Sequence, residues 1–352
     1  MKKQKYLLNF LLILLLTGGV MWLALKDNYQ EVLSAISKMN AISLLIILLW
    51  GVLFTVVWGL VYFVLGKKYV SNYSIGKGII ISFVGTFFSG ITPSSTGGQF
   101  AQAYMLKKQG IKVSDGASLL WADFIIYQTT MMIYVTVLFI LKFSYYRQQS
   151  AWFNLILIGY LINAVVILAL YTMALFPKVY IWLSGWVVKV LGKCKILKDP
   201  QRTLDSWTLQ MTSFTSEIKQ LSKDKKRIFL CSCIDFVRLS LFYALPFVIA
   251  QALHISIQPD QLIDVITLSS FVTMANSFIP IPGSSGGTEA VFALLFAPLM
   301  GSLTSAVMVL WRFSTYHIVL VIGGVLFAIV NQYYKKKEYM NQPIEISVKE
   351  GE

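Results

Sequence analysis

Six ionisable side chains lie inside stretches apolar enough for a bilayer: Asp123, Asp235, Arg238, Glu289, Arg312 and His317. Such groups are disfavoured in hydrocarbon and mark binding sites, ion paths or buried pairs. Asp235 and Arg238 stand three apart, share a helix face and neutralise each other, which reads as a structural pair. His317 reads as a hydrogen-bonded core residue. Arg312 falls about 14 Å into the last apolar segment at 1.5 Å per residue. Either Glu289 or Asp123 can pair with it. A structural ion pair and a site for an anionic headgroup are equally open readings, and one pair can serve both.

The second chemical feature occurs twice. Gly90-Ile-Thr-Pro-Ser-Ser-Thr-Gly-Gly-Gln99 and Ile279-Pro-Ile-Pro-Gly-Ser-Ser-Gly-Gly-Thr288 are polar, proline-interrupted breaks in membrane-like sequence. An offset of 189 (282 minus 93) places Pro93 on Pro282, Ser95 on Ser284, Gly97 on Gly286, Gly98 on Gly287 and Asp123 on Arg312. Small hydroxyl residues precede a Gly-Gly pair that opens a short helix. A helix start presents unpaired N–H groups and a partial positive charge, which suits an anion such as phosphate. Irregular backbone at membrane depth is tolerated only inside protein or along a water-filled cavity. Two such breaks at matching places in two halves point to a transporter built from inverted repeats. The candidate substrate-binding residues are Thr92, Pro93, Ser94, Ser95, Gly97, Gly98, Gln99, Pro282, Gly283, Ser284, Gly286, Gly287, Glu289, Arg312 and Asp123. The bland reading is that the tips pack on each other and on neighbouring helices.

These residues need a membrane scaffold, and the composition supplies one. The 352 residues are 57% hydrophobic and only 13% charged, about half the charged share of a soluble domain. Full spans are expected at about 7–25, 42–65, 117–141, 152–176, 228–253 and 303–330. Residues 79–92 and 97–106 are too short to span alone, as are the arms of 264–300, and read as two re-entrant helical hairpins. The predicted fold is an all-α polytopic membrane protein with about six full transmembrane helices plus these hairpins in an inverted repeat. Residues 1–334 form the transmembrane domain, with halves at about 42–176 and 228–330. Residues 177–227 are an amphipathic linker in which Trp207, Met211, Phe214, Ile218 and Leu221 make one stripe, capped by Asp205 or Ser206. Residues 335–352 are expected to be a disordered tail.

With the N-terminus inside and each hairpin crossing evenly, 24 of the 30 Lys and Arg residues fall in five cytoplasmic segments. This explains the net charge of +14 without nucleic acid. Both termini and 177–227 become cytoplasmic, and the hairpin mouths open to opposite sides, so the tips are predicted to meet near the midplane. Three cysteines, Cys194, Cys231 and Cys233, imply neither a disulfide framework nor a zinc site. No nucleotide-binding loop, nucleophile motif or metal cluster is present, so no cofactor is expected.

Thr92-Pro-Ser-Ser-Thr-Gly-Gly-Gln99, the tip Pro282-Gly-Ser-Ser-Gly-Gly287 followed by Glu289, and an arginine in the last helix resemble the lysylphosphatidylglycerol synthase transmembrane region. This is the flippase portion of the multiple peptide resistance factor family. The resemblance implies a bacterial cell-membrane lipid translocase for phospholipid or lysyl-phosphatidylglycerol, linked to resistance to cationic antimicrobial peptides. It also implies a competing activity, phosphatidylglycerol lysyltransferase, because full-length members carry a soluble domain that transfers lysine from lysyl-tRNA. Only residues 331–352 follow the last expected span, and 177–227 is too small to fold around tRNA and an aminoacyl ester. The expected partners are membrane phospholipid, a separate synthase chain or a second copy; tRNA enters only under the synthase reading.

Overall fold

The computed structural model describes residues 29–92, 95–147, 150–193, 199–221, 223–276, 282–284 and 286–340. Among these residues there are helices and turns and no strand. The span expected at 7–25 lies outside them, as do Pro93 and Ser94. The helices are α1 (Tyr29–Ser37), α2 (Ala41–Gly66), α3 (Ile75–Ile91), α4 (Gly97–Lys108), α5 (Val113–Arg147), α6 (Ser150–Leu175), α7 (Pro177–Lys193) and α8 (Pro200–Leu221). They continue as α9 (Lys225–Ala252), α10 (Leu262–Asn276), α11 (Gly287–Met300), α12 (Thr304–Arg312) and α13 (Ile318–Met340).

Five helical stretches are long and apolar enough to cross a membrane: Ala41–Gly66, Val113–Phe143, Ile156–Met173, Lys225–Ala252 and Gly287–Tyr334. Their outer faces stay apolar. Ile42, Leu45, Leu49 and Leu53 on α2, and Val321, Val325 and Ile329 on α13, are all exposed at helical spacing. Stripes of that extent are excluded from water in a soluble monomer and suit lipid. The chain is an all-α polytopic membrane protein.

The arms α3, α4, α10 and α11 have 17, 12, 15 and 14 residues, against the ~20 a spanning helix needs. α3 pairs with α4 and α10 with α11. The first pair is close because Gly98 faces Ser89 and the Gly85 carbonyl; a Cβ there would fall 2.0 Å from Ser89 Oγ. Small residues let helix backbones approach in lipid, where packing rather than water drives association.

Each hairpin has its own core. Ile81 and Val84 of α3 and Ala101, Met105 and Leu106 of α4 pack with Tyr62, Leu119 and Cys231. Leu268, Phe271 and Val272 of α10 and Phe292, Leu295 and Phe296 of α11 pack with Ile47, Val135 and Tyr243. Helices α2, α5 and α9 run through both cores.

Among the described residues of 177–227 lie the helices α7 and α8 and the start of α9. α7 and α8 pack on each other, and α8 also packs on α5 and α6. α8 begins at Pro200, earlier than the apolar stripe suggests. Asp199 Oδ1 accepts from the Arg202 backbone N–H at 3.0 Å, and proline suits the first helical position because it has no N–H to satisfy. Asp205 and Ser206 therefore lie inside the helix rather than capping it.

Candidate functional site

The second tip is a left-handed turn closed by charge. Gly283 has φ 61°, Ser284 φ 50° and Gly286 φ 86°, a conformation L residues adopt at a cost of about 1–2 kcal/mol each. Glu289 then does two things. Its Oε2 accepts from the Gly286 backbone N–H at 2.6 Å, satisfying a donor at the start of α11. Its Oε1 accepts from Arg312 Nε at 2.7 Å. This is one half of a capping box; glycine has no side chain to supply the other half. Arg312 Nη2 also donates to the Gly283 carbonyl at 2.9 Å. The arginine thus clamps both sides of the turn, and Thr288 Oγ1 donates to the Ser284 carbonyl at 2.9 Å.

The first tip is capped by neutral groups. Ser95 has φ 55° and is the position equivalent to Ser284. Thr92 Oγ1 donates to the Phe88 carbonyl at 2.7 Å and accepts from the Gly97 N–H at 2.8 Å. A hydroxyl therefore caps α4 where a carboxylate caps α11. Gln99 is exposed at the start of the short arm, and Gly98 sits buried at the arm contact.

Tyr316 joins the two tips. α3 contacts the Pro282–Ser284 turn directly. The Tyr316 hydroxyl donates to the Gly90 carbonyl at 3.0 Å. A Cβ on Gly283 would fall 2.4 Å from the same hydroxyl, and one on Gly90 would fall 3.1 Å from the ring. The Arg312 guanidinium lies over the ring at 4.7 Å from its centre. Tyr316 occupies a π-helical segment, Phe313–His317, whose wider turn shifts the register of the last helix. The same segment places Ser314 Oγ on the Ile47 carbonyl and under the Gly51 N–H of α2. His317 Nδ1 lies 3.2 Å from the Arg312 carbonyl.

Asp123 is not at the tips. Its Oδ1 accepts from Trp58 Nε1 at 3.2 Å and its Oδ2 from the Tyr62 hydroxyl at 2.8 Å. Gln102 Nε2 of α4 donates to that hydroxyl at 2.7 Å. Trp58 also carries the Arg238 guanidinium on its ring at 4.8 Å, with Tyr127 at 4.5 Å and Phe54 at 5.4 Å. Arg238 Nη1 is 3.1 Å from Asp235 Oδ1. That pair is close yet not aligned as a hydrogen bond. The structure thus gathers Glu289, Arg312, Gly283 and Ser284 with the first tip. It sends Asp123 to a second polar cluster between the two cores.

Sequence reasoning missed Tyr316 and the Trp58–Tyr62–Gln102 chain. The offset of 189 (316 minus 127) pairs Tyr316 with Tyr127, and both rings face an arginine; that repeat was the available signal. Chemically, the tips offer a guanidinium whose partners can be exchanged for the oxygens of a phosphate. Among the described residues no group of three His, Cys, Asp or Glu side chains could hold a metal.

The fold, with two tips that meet at Tyr316 and one of them clamped by charge, is that of an all-α polytopic membrane protein. The family model described as "Lysylphosphatidylglycerol synthase TM region" matches residues 9–323, and the chain belongs to that family. It is 25% identical over 304 residues to a "UPF0104 membrane protein" of Archaeoglobus fulgidus, covering 83% of this chain and 88% of that relative. No solved structure matches.

Proposed function

We propose that this chain is a lipid translocase that carries a phospholipid or aminoacylated phospholipid, such as lysyl-phosphatidylglycerol, past the paired tips. In a cell this would support resistance to cationic antimicrobial peptides. The observation that carries the reading is Arg312, buried and held between Glu289 and the Gly283 carbonyl where both tips converge on Tyr316. A lone arginine at membrane depth is disfavoured by at least ~2.5 kcal/mol. Here it is retained beside Tyr316, where Gly90 of the first half and Gly283 of the second approach each other. In this reading the hairpins are re-entrant, and Ser95, Gly97, Gly98, Gln99, Ser284, Gly286 and Gly287 flank the headgroup path. The termini and 177–227 are cytoplasmic.

The test is fluorescent phospholipid movement between leaflets in liposomes containing purified protein. Arg312→Ala should be inactive, and Arg312→Lys partly active, because an ammonium lacks the planar fork. A well-folded Arg312→Ala protein with full activity sinks the reading. Orientation is tested by Lys189→Cys in a background without native cysteines, which should resist impermeant thiol reagents in intact cells.

The family description favours a second reading, a membrane subunit of a phosphatidylglycerol lysyltransferase acting with a separate synthase chain. Lipid mass spectrometry with outer-leaflet labelling separates the two. New lipid species argue for synthesis, and altered sidedness alone argues for transport.

A further inference from the structure

The junction between the two cores has an unequal count of charges. Asp123, Asp235 and Arg238 are 7%, 0% and 4% exposed, giving two carboxylates against one guanidinium. Arg312 is committed elsewhere, to Glu289. Among the described residues neither oxygen of Asp235 has a hydrogen-bond donor, and Arg238 Nε and Nη1 have no acceptor. Burying a second, uncompensated carboxylate is far more costly than neutralising it with a proton.

We infer that Asp123 is a proton-binding site, sharing one proton with Asp235, whose occupancy is read by the first hairpin through Tyr62 and Gln102. The titratable and charged groups around Asp123 are Tyr62 from α2, Tyr127 from its own helix, and Cys231, Asp235 and Arg238 from α9. α4 contributes the neutral amide of Gln102. A cavity of about 180 Å³ lies nearby, although Asp123 itself does not line it. Its wall includes Ala122 next to Asp123, and its mouth carries Lys68, Lys223, Asp224 and Arg227.

The step moves one proton and breaks no other covalent bond. With Asp123 ionised, both its oxygens accept, and the Tyr62 hydroxyl is spent on Oδ2 while accepting from Gln102. When a proton taken up from solvent joins Oδ2, that oxygen becomes a donor to Tyr62. The Tyr62 hydroxyl then turns to donate to Gln102, which must present its amide oxygen instead of its nitrogen. Gln102 is wedged between the hairpin arms: a Cβ on Gly85 would fall 2.1 Å from Nε2. Turning the amide exchanges a donor for an acceptor at the contact between α3 and α4. The proton site stands on this geometry; its coupling to lipid movement rests on the translocase reading.

Difference infrared spectroscopy of the purified chain, stepped from pH about 5 to about 9, tests it. One protonated-carboxyl band, shifted by carboxyl-labelled aspartate, should disappear as pH rises. It should be lost in Asp123→Asn, where Asp235 keeps Arg238 to itself. In Asp235→Asn its midpoint should move to lower pH, because Asp123 then gains the arginine. Amide hydrogen exchange of 97–108 should change across the same transition in the native chain and stay constant in Tyr62→Phe. The absence of a titrating band in the native chain overturns the inference, as does an unaltered midpoint in either aspartate variant. Unaltered exchange of 97–108 in the native chain overturns the hairpin's part in it. Liposomes carrying a pH gradient keep this apart from the transport reading. A titrating band without lipid movement refutes translocation alone, and lipid movement without a titrating band refutes the proton site alone.

Discussion

At the first tip Thr92 caps the short arm with a hydroxyl; at the second, Glu289 caps it with a carboxylate that Arg312 holds in turn. The backbones share one feature and differ in another, for Gly97 is already helical where its equivalent Gly286 has φ 86°. A serine sits at positive φ in each, 55° at Ser95 and 50° at Ser284, followed by a Gly-Gly pair. The residue at Glu289's place in the first half is Phe100 (289 minus 189), and it is 78% exposed. The residue at Arg312's place is Asp123, which faces the junction of the two cores instead of a tip. The repeat thus keeps a serine at positive φ while relocating charge. One half keeps its ion pair at the turn, and the other keeps its acid deeper in the bundle, linked to its hairpin by Tyr62 and Gln102.

The largest effect should come from removing the charge at the second tip. Glu289→Ala leaves Arg312 without its carboxylate and should lower stability by about 3–5 kcal/mol, read as thermal unfolding of purified protein. Glu289→Ala combined with Arg312→Ala should recover much of that loss. If Glu289→Ala costs no more than the loss of the Thr92 cap, the electrostatic contrast between the tips is wrong. Gly283→Ala comes next. It forces a side chain to φ 61° and into the Tyr316 ring, for at least about 1–2 kcal/mol from the backbone alone. Gly90→Ala meets Leu320 and Tyr316 at 3.0 and 3.1 Å and should cost less in the same assay. Thr92→Ala should cost about 1 kcal/mol, the ordinary value of an N-terminal cap, and Thr92→Ser should restore it. Phe100→Gln should have the smallest effect on unfolding, since that side chain is 78% exposed.

Much of this frame was legible. The proline–glycine breaks, the short arms and the nearness of Glu289 to Arg312 follow from spacing and hydropathy. The partner of Asp123 was not. Pairing it with Arg312 rested on their equivalent positions, yet equivalent positions in two halves need not touch. Tyr316 was missed because a tyrosine in an apolar helix looks like packing. The helix α7 and the early start of α8 were hidden by reading the apolar stripe, which begins at Trp207, in place of the stronger cue of Asp199-Pro200.

The π turn at Phe313–His317 has a consequence for chain length. The Ile318 N–H reaches back five residues, to the Phe313 carbonyl, so the last helix is two helices on one axis that differ in phase. Arg312 keeps the phase set by α12, and everything after Ile318 keeps the phase of α13. Deleting one residue inside the turn would restore an ordinary ladder at about 100° per residue and swing Tyr316 away from Gly90 and Gly283. Composition and hydropathy would scarcely change. Length is therefore a specification here: the extra residue sets the phase between the helix that ends at Arg312 and the helix that begins at Ile318.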